Sequence, residues 1–244
     1  MRFHQFPLLG ALALAAPAFA VTVNVTDFTF PSNPRLVTVS GGAGGPSYSG
    51  AAGEFSGTLT DTLGAAASTR DSTLRFGTLD ATSTTSFQAW CGELTQSFFF
   101  NTTYTYDRQT GVAHYGAART DALSRLFTAA QGFVVDATTS AAMQASIWEI
   151  IYEQGNSYDL TGGSFIGSLQ DPAGLVAFNT LNGFLTHLSN YSASYRIDVL
   201  GSESNQDFIV ATAPIPEPET WALLMAGFGA MGWAARRRKA AAAS

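Results

Sequence analysis

The sequence contains one cysteine, Cys91, and one lysine, Lys239, in 244 residues, and only 12% of its side chains are charged. A single cysteine excludes an internal disulfide. The charged share is about half that of an ordinary globular chain, so the surface must rely on Thr, Ser, Asn and Gly. From Val21 to Pro214 there are 16 Asp and Glu against 7 Arg and no Lys, a net charge of −9. Those arginines, from Arg35 to Arg196, form no cluster that would release counterions, which excludes nucleic acid as a partner. Histidine is equally sparse in this stretch, with only His114 and His187. Two dispersed histidines, one cysteine and no Asp-rich loop lack metal-ligand spacing, so neither a metal nor a cofactor is expected. The glycines of Gly41 to Pro46 have no helix pattern after them and make no phosphate cradle.

The two ends read as addresses. Met1 to Ala20 has a basic start, an apolar run from Phe6 through Phe19 and the small-residue site Ala18-Phe19-Ala20, which predicts a signal peptide cleaved after Ala20 by signal peptidase. The run is too short and alanine-rich to serve as a comfortable membrane span. Export of the mature chain follows. At the other end, 213–220 forms a proline-stiffened acidic spacer containing Pro216, Glu217 and Pro218, because each proline fixes φ and disfavours helix in the residue before it. Trp221 to Ala235 supplies 15 apolar residues, roughly 22 Å as a helix and a marginal span. Arg236, Arg237 and Arg238 open a basic tail, 236–244, that would hold this end in the cytoplasm.

A Pro-Glu-Pro entry, a marginal apolar helix and a basic stop closely resemble the PEP-CTERM sorting signal recognised by exosortase. The resemblance implies a transient anchor in the inner membrane of a Gram-negative bacterium. Cleavage near Pro216-Glu217-Pro218 and transfer to the cell surface or the exopolysaccharide matrix would follow.

The body, 21–212, is long enough for one domain with a sizeable core. Its first half reads as strand, with alternation at Val21, Val23 and Val25 and runs at Leu36–Val39, Glu54–Leu59, Thr73–Phe76, Ser86–Leu94 and Phe98–Tyr106. Three helices are predicted after Gly116, over 120–131, 140–154 and 171–188, with Thr120, Ser140 or Thr139, and Asp171 as N-caps. Tyr195–Leu200 and Asp207–Thr212 return to strand. The expected class is α+β, a mainly antiparallel β-sandwich or barrel-like layer with a small helical subdomain. His114 falls in an expected loop and His187 near a helix end.

Cys91, in a chain bound for an oxidising compartment, must be inert, intermolecular or used. It follows Trp90 in Phe87-Gln88-Ala89-Trp90-Cys91-Gly92-Glu93-Leu94, and Gln144 stands one turn before Trp148 in Gln144-Ala145-Ser146-Ile147-Trp148. Together these segments resemble the two halves of a Cys-Gln thioester domain, a reactive module of bacterial surface adhesins, although Met143 stands where that family commonly has threonine. The resemblance spans roughly 54–167. It implies an internal thioester between Cys91 and Gln144, in a pocket to which Trp90, Ile147 and Trp148 belong, that captures an amine-bearing surface or matrix target once rather than turning over.

A Cys91 thiolate attacking the Gln144 carbonyl expels ammonia and leaves an acyl group open to amines, provided water is kept out by cover such as Trp90, Trp148 and Phe98 to Phe100. The absence of lysine from the body removes the side-chain amines that would consume such a bond. Gln144, Ile147, Trp148 and Ile151 also recur at ordinary amphipathic spacing, which leaves a packed helix with a boundary glutamine open, and Glu149 and Glu153 are expected in solvent. Two other functions stay open, a passive envelope or biofilm-matrix protein with a structural cysteine, and a hydrolase in which His114 or His187 activates Cys91.

Overall fold

The computed structural model describes residues 19–31, 35–41, 47–61, 84–169, 171–213, 225–228 and 231. Met1–Thr212 and Ala213–Ser244 form two separate compact units. The expected strand at Thr73–Phe76, the leader before Phe19, most of the apolar tail and the basic stop lie outside the described residues. In the second unit Met225–Phe228 and Met231 are helical. Among the described residues no helix is long and apolar enough to cross a membrane.

In the first unit, β1 (Phe19–Phe28), β4 (Phe55–Asp61), β5 (Thr84–Cys91), β9 (Phe208–Thr212), β8 (Arg196–Gly201) and β6 (Thr103–Thr110) close into an antiparallel barrel in that order. The alternation of β1 explains its place there. Val21, Val23 and Val25 are buried on one face, while β-branched and polar residues occupy the other. Register then shifts between Val25 and Asp27, bending β1 against β4. Residues paired across a ladder share a face, so Phe55 with Ala89 and Cys91 with Phe208 point the same way. Phe208 packs on Phe55, Phe98 and Tyr106 at ring-centre distances of 6.0, 5.1 and 5.6 Å, and this is the barrel interior. Trp90 and its partner Ile209 face outward.

A second sheet has the order β3 (Tyr48–Ala52), β2 (Arg35–Gly41) and β7 (Phe165–Leu169). The helices are α1 (Gly111–Tyr115), α2 (Ala117–Ala129), α3 (Ala137–Tyr152) and α4 (Pro172–Thr186), followed by a 3-10 turn at Leu188–Asn190. Helix α3 packs on all three strands of the small sheet and on α2 and α4. Twelve of its residues, from Thr138 to Ile150, are buried, so it is the central helix rather than an amphipathic surface one. The α+β class and the barrel agree with the expectation.

Several local expectations are corrected. Helix α2 starts at Ala117, with Gly116 as an N-cap that makes no side-chain bond, rather than being capped by Thr120. Helix α3 is capped by Asp136, whose carboxylate accepts from Thr139 N–H at 2.8 Å while the Thr139 hydroxyl reaches back to the Asp136 amide, so Thr139 completes the cap instead of being it. Asp171 does cap α4, with Pro172 behind it. The loop expected around His114 is helix α1, held by the Thr110 hydroxyl accepting from Ala113 N–H. Phe98 to Phe100 are not strand. Asn101, at φ 58°, turns the chain there and donates its amide to Val25, and β6 starts only at Thr103.

Candidate functional site

Cys91 is the last residue of β5 and Gln144 lies in the middle of α3, and the fold brings them into direct contact. The Cys91 amide donates to Gln144 Oε1 at 2.8 Å, and Gln144 Nε2 donates to the Cys91 carbonyl at 2.9 Å. The side-chain amide therefore takes the place of a neighbouring strand. Continuing the Phe55–Ala89 register by two residues would put Gly53 opposite Cys91, but β4 begins only at Phe55. Before it the chain turns away, with Glu54 N–H donating to the Ser140 hydroxyl of α3 at 2.7 Å. The vacated ladder position is filled by Gln144. It is fully buried, not at a boundary as the helical spacing suggested, because both of its polar groups have backbone partners.

Cys91 is 8% exposed and its thiol shares the interior face with Phe208. Burial pushes the thiol well above its ordinary pKa, and the Glu93 charge adds to this, so the resting group is a thiol and not a thiolate. Tyrosines surround it. Tyr48 stacks edge-on against Trp148 at 5.2 Å and donates its hydroxyl to the Ala51 carbonyl; burial raises its pKa to about 12. Tyr115 donates to the Gly92 carbonyl at 3.1 Å, and Tyr152 accepts from Leu94 N–H at 2.8 Å, so the chain leaving Cys91 is clamped on both sides. A Cβ at Gly92 would lie 2.6 Å from the Tyr115 hydroxyl and 3.2 Å from the Asp207 carbonyl, so a larger residue there would displace the Tyr115 hydroxyl from the Gly92 carbonyl.

Of the residues assigned to the pocket from sequence, Ile147 and Trp148 lie on the buried helix with Gln144, while Trp90 points to the outer face against Phe127, 6.3 Å between ring centres. Phe98 packs inside the barrel on Phe55 and Phe208, but Phe99 is 72% exposed and Phe100 half-exposed, so the expected three-ring cover reduces to one. The sequence reading missed Tyr48, Tyr115 and Tyr152. Their reach to the Cys91 segment depends on the folds of three separate elements, and no local spacing signals it.

The carboxylates of α3 are corrected most clearly. Glu149 is 0% exposed and accepts from Asp159 N–H at 2.8 Å, while its Oε2 has no partner. Burial raises it to about 8, opposed by that hydrogen bond and helped by the charges of Glu153 and Asp159. Glu153, also buried, accepts from Ser164 N–H at 2.7 Å and from Phe165 N–H. Both acids thus hold the 153–165 segment onto the end of α3. Gly163, at φ 92°, is the turn that lets Glu153 approach.

His114 Nε2 lies 3.3 Å from Asp207 Oδ2, and His187 Nδ1 contacts the Gly183 carbonyl and the Thr186 hydroxyl. Neither pairs with Cys91. Among the described residues no group of three or more His, Cys, Asp or Glu side chains is placed to hold a metal ion.

At the C-terminus, residues 214–239 match the family model of the PEP-CTERM protein-sorting motif. The chain carries an exosortase sorting signal. Pro216, Glu217, Pro218 and Arg236 to Arg238 all fall inside the match, which makes this an exported protein directed to the cell surface. The match covers the tail and not the body. No curated protein and no solved structure matches the chain.

Proposed function

We propose that the exported body is a single-use covalent capture module in which Cys91 and Gln144 form an internal thioester. The observation that carries this is the paired contact of the Gln144 amide with the backbone of Cys91, at 2.8 and 2.9 Å. It holds the side-chain amide against the backbone of the one cysteine in the sequence, whose thiol would be the attacking group. In closure the Cys91 sulfur bonds to Gln144 Cδ, the Cδ–Nε2 bond breaks, and ammonia leaves carrying the thiol proton. The Cys91 N–H already on Oε1 is a donor to the oxygen that becomes negative during attack. In opening, a primary amine bonds to Cδ, and its proton passes to the departing sulfur.

Burial serves persistence. A thiol whose ionisation is strongly disfavoured is a poor leaving group, and complete burial of Gln144 keeps water from the acyl carbon. With no lysine between Val21 and Pro214, no side-chain amine of the body competes with the target. The target is then an amine on a surface or matrix partner, met after exosortase has released the protein from the inner membrane of its Gram-negative host. A labelled primary amine should become attached to Gln144 in the wild-type chain, located by peptide mapping, and not in Cys91→Ala. Equal labelling of both would refute the assignment.

A second reading is favoured by the same contact. A glutamine whose two polar groups are fully satisfied by backbone is also a complete structural latch, which would make the body a passive envelope or matrix protein. Absence of labelling in a folded wild-type chain would select it.

A further inference from the structure

Behind the Cys91–Gln144 pair, on the outer face of the barrel, lies a cavity of about 220 Å³ open to solvent. Trp90, Phe127 and Tyr195 line it as a continuous aromatic wall, with ring centres 6.3 Å apart for Trp90–Phe127 and 5.8 Å for Phe127–Tyr195. Met143, Val134, Gln88 and Gln131 are among the other lining residues, and Glu54, just before β4, adds a carboxylate. Glu54 is the one charged residue lining the cavity, and Tyr195 the one other titratable group. No cation pairs with Glu54 among the described residues.

We propose that this cavity binds an alkylammonium group, with Glu54 as counter-charge and the rings of Trp90, Phe127 and Tyr195 as its walls. A half-buried carboxylate in a cavity that shares its lining with aromatic rings, without a cationic partner, is costly as it stands. An alkylammonium removes that cost twice, by charge pairing and by the attraction of a cation to ring faces, while its alkyl part is compatible with Met143. The pKa direction agrees. Burial raises Glu54 to about 7, with the Thr29 hydroxyl opposing, so the empty site resists ionisation and a bound cation would restore it. The position of Glu54 is fixed independently of its side chain, because its amide donates to the Ser140 hydroxyl and its carbonyl accepts from Thr29 N–H at 2.8 Å. The size admits either a lysine side-chain terminus or a trimethylammonium head, and not a large ligand. This site stands apart from thioester chemistry, since Trp90 faces away from the Cys91 thiol.

The test uses the full-length Cys91→Ala chain, in which no thioester can consume an amine. The Trp90 indole N–H resonance is followed at pH 8.5 while n-butylammonium, tetramethylammonium or the neutral n-butanol is added at constant ionic strength. Saturable shifts with a Kd on the order of 1 mM for at least one of the cations support the site, and which cation binds tells a primary amine from a quaternary head. Glu54→Gln, with its backbone hydrogen bonds kept, should weaken binding at least about tenfold, and lowering the pH to 5.5 should do the same. If Glu54→Gln misfolds, Tyr195→Ala replaces it, with weakened binding again expected. Equal shifts with n-butanol, undiminished binding in the variants, or no saturable shift with either cation would overturn the proposal. None of these outcomes depends on whether Cys91 and Gln144 react.

Discussion

Replacing Glu149 by Gln should make the protein more stable at pH 8 than at pH 5 relative to wild type. Glu149 is fully buried, has one oxygen without a partner, and is raised from 4.5 to about 8. A carboxyl whose pKa is higher in the folded state stabilises fully below its unfolded value. That contribution is lost as pH rises from about 4.5 to about 8, because the unfolded chain ionises freely while the folded chain cannot. The shift corresponds to at most about 5 kcal/mol. Relaxation and water entry at the end of α3 bring the expected effect to about 2–3 kcal/mol. Glutamine keeps an acceptor for Asp159 N–H but does not titrate, so any constant cost of the substitution cancels when two pH values are compared. Glu54, also raised, contributes equally to both proteins and cancels too. Denaturant unfolding at pH 5, 6.5 and 8 should show the Glu149→Gln minus wild-type difference growing by about 2–3 kcal/mol, or about 4–10 °C in melting temperature. Parallel pH profiles for the two proteins would refute the reasoning, and with it the burial of this helix end.

Three further outcomes follow from the same contacts. Cys91→Ala leaves the backbone groups that hold Gln144 untouched, so it should cost only about 1 kcal/mol in unfolding experiments while abolishing amine capture. Gln144→Leu orphans the Cys91 amide and carbonyl and should cost roughly 2–5 kcal/mol, measured the same way. Asp136→Ala removes the carboxylate half of the α3 capping box, while the backbone amide at 136 can still donate to the Thr139 hydroxyl, and should lower stability by about 1 kcal/mol with no effect on capture, whereas a capture defect would show that helix position is set more delicately than the cap implies.

The sequence carried the barrel better than the small sheet. Val21, Val23 and Val25 announce β1 by alternation, and Asp171-Pro172 announces α4 by cap chemistry. Strand β3, Tyr-Ser-Gly-Ala-Ala, has no such pattern and exists because Val37 pairs with Gly50, just as β7 exists because Val39 pairs with Gly167. Such pairings depend on partners far along the chain. The site shows the same division. Cys91 and Gln144 were legible as a pair of motifs, but the complete burial of Gln144 follows from β4 starting only at Phe55 and leaving a ladder position empty. Glu149 looked like a surface residue because its partner, the Asp159 amide, is a backbone group ten residues on. Phe98 to Phe100 read as strand until Asn101 adopts a left-handed turn that leaves Phe99 in solvent.

Intact mass before and after methylamine tests the central claim most directly. A Cys91–Gln144 thioester predicts a species ~17 Da below the mass of the processed chain, for ammonia lost, rising by ~31 Da as methylamine adds. A mass equal to that of the unmodified chain, unchanged by methylamine and accompanied by one titratable thiol, would contradict it and leave Gln144 as a structural latch.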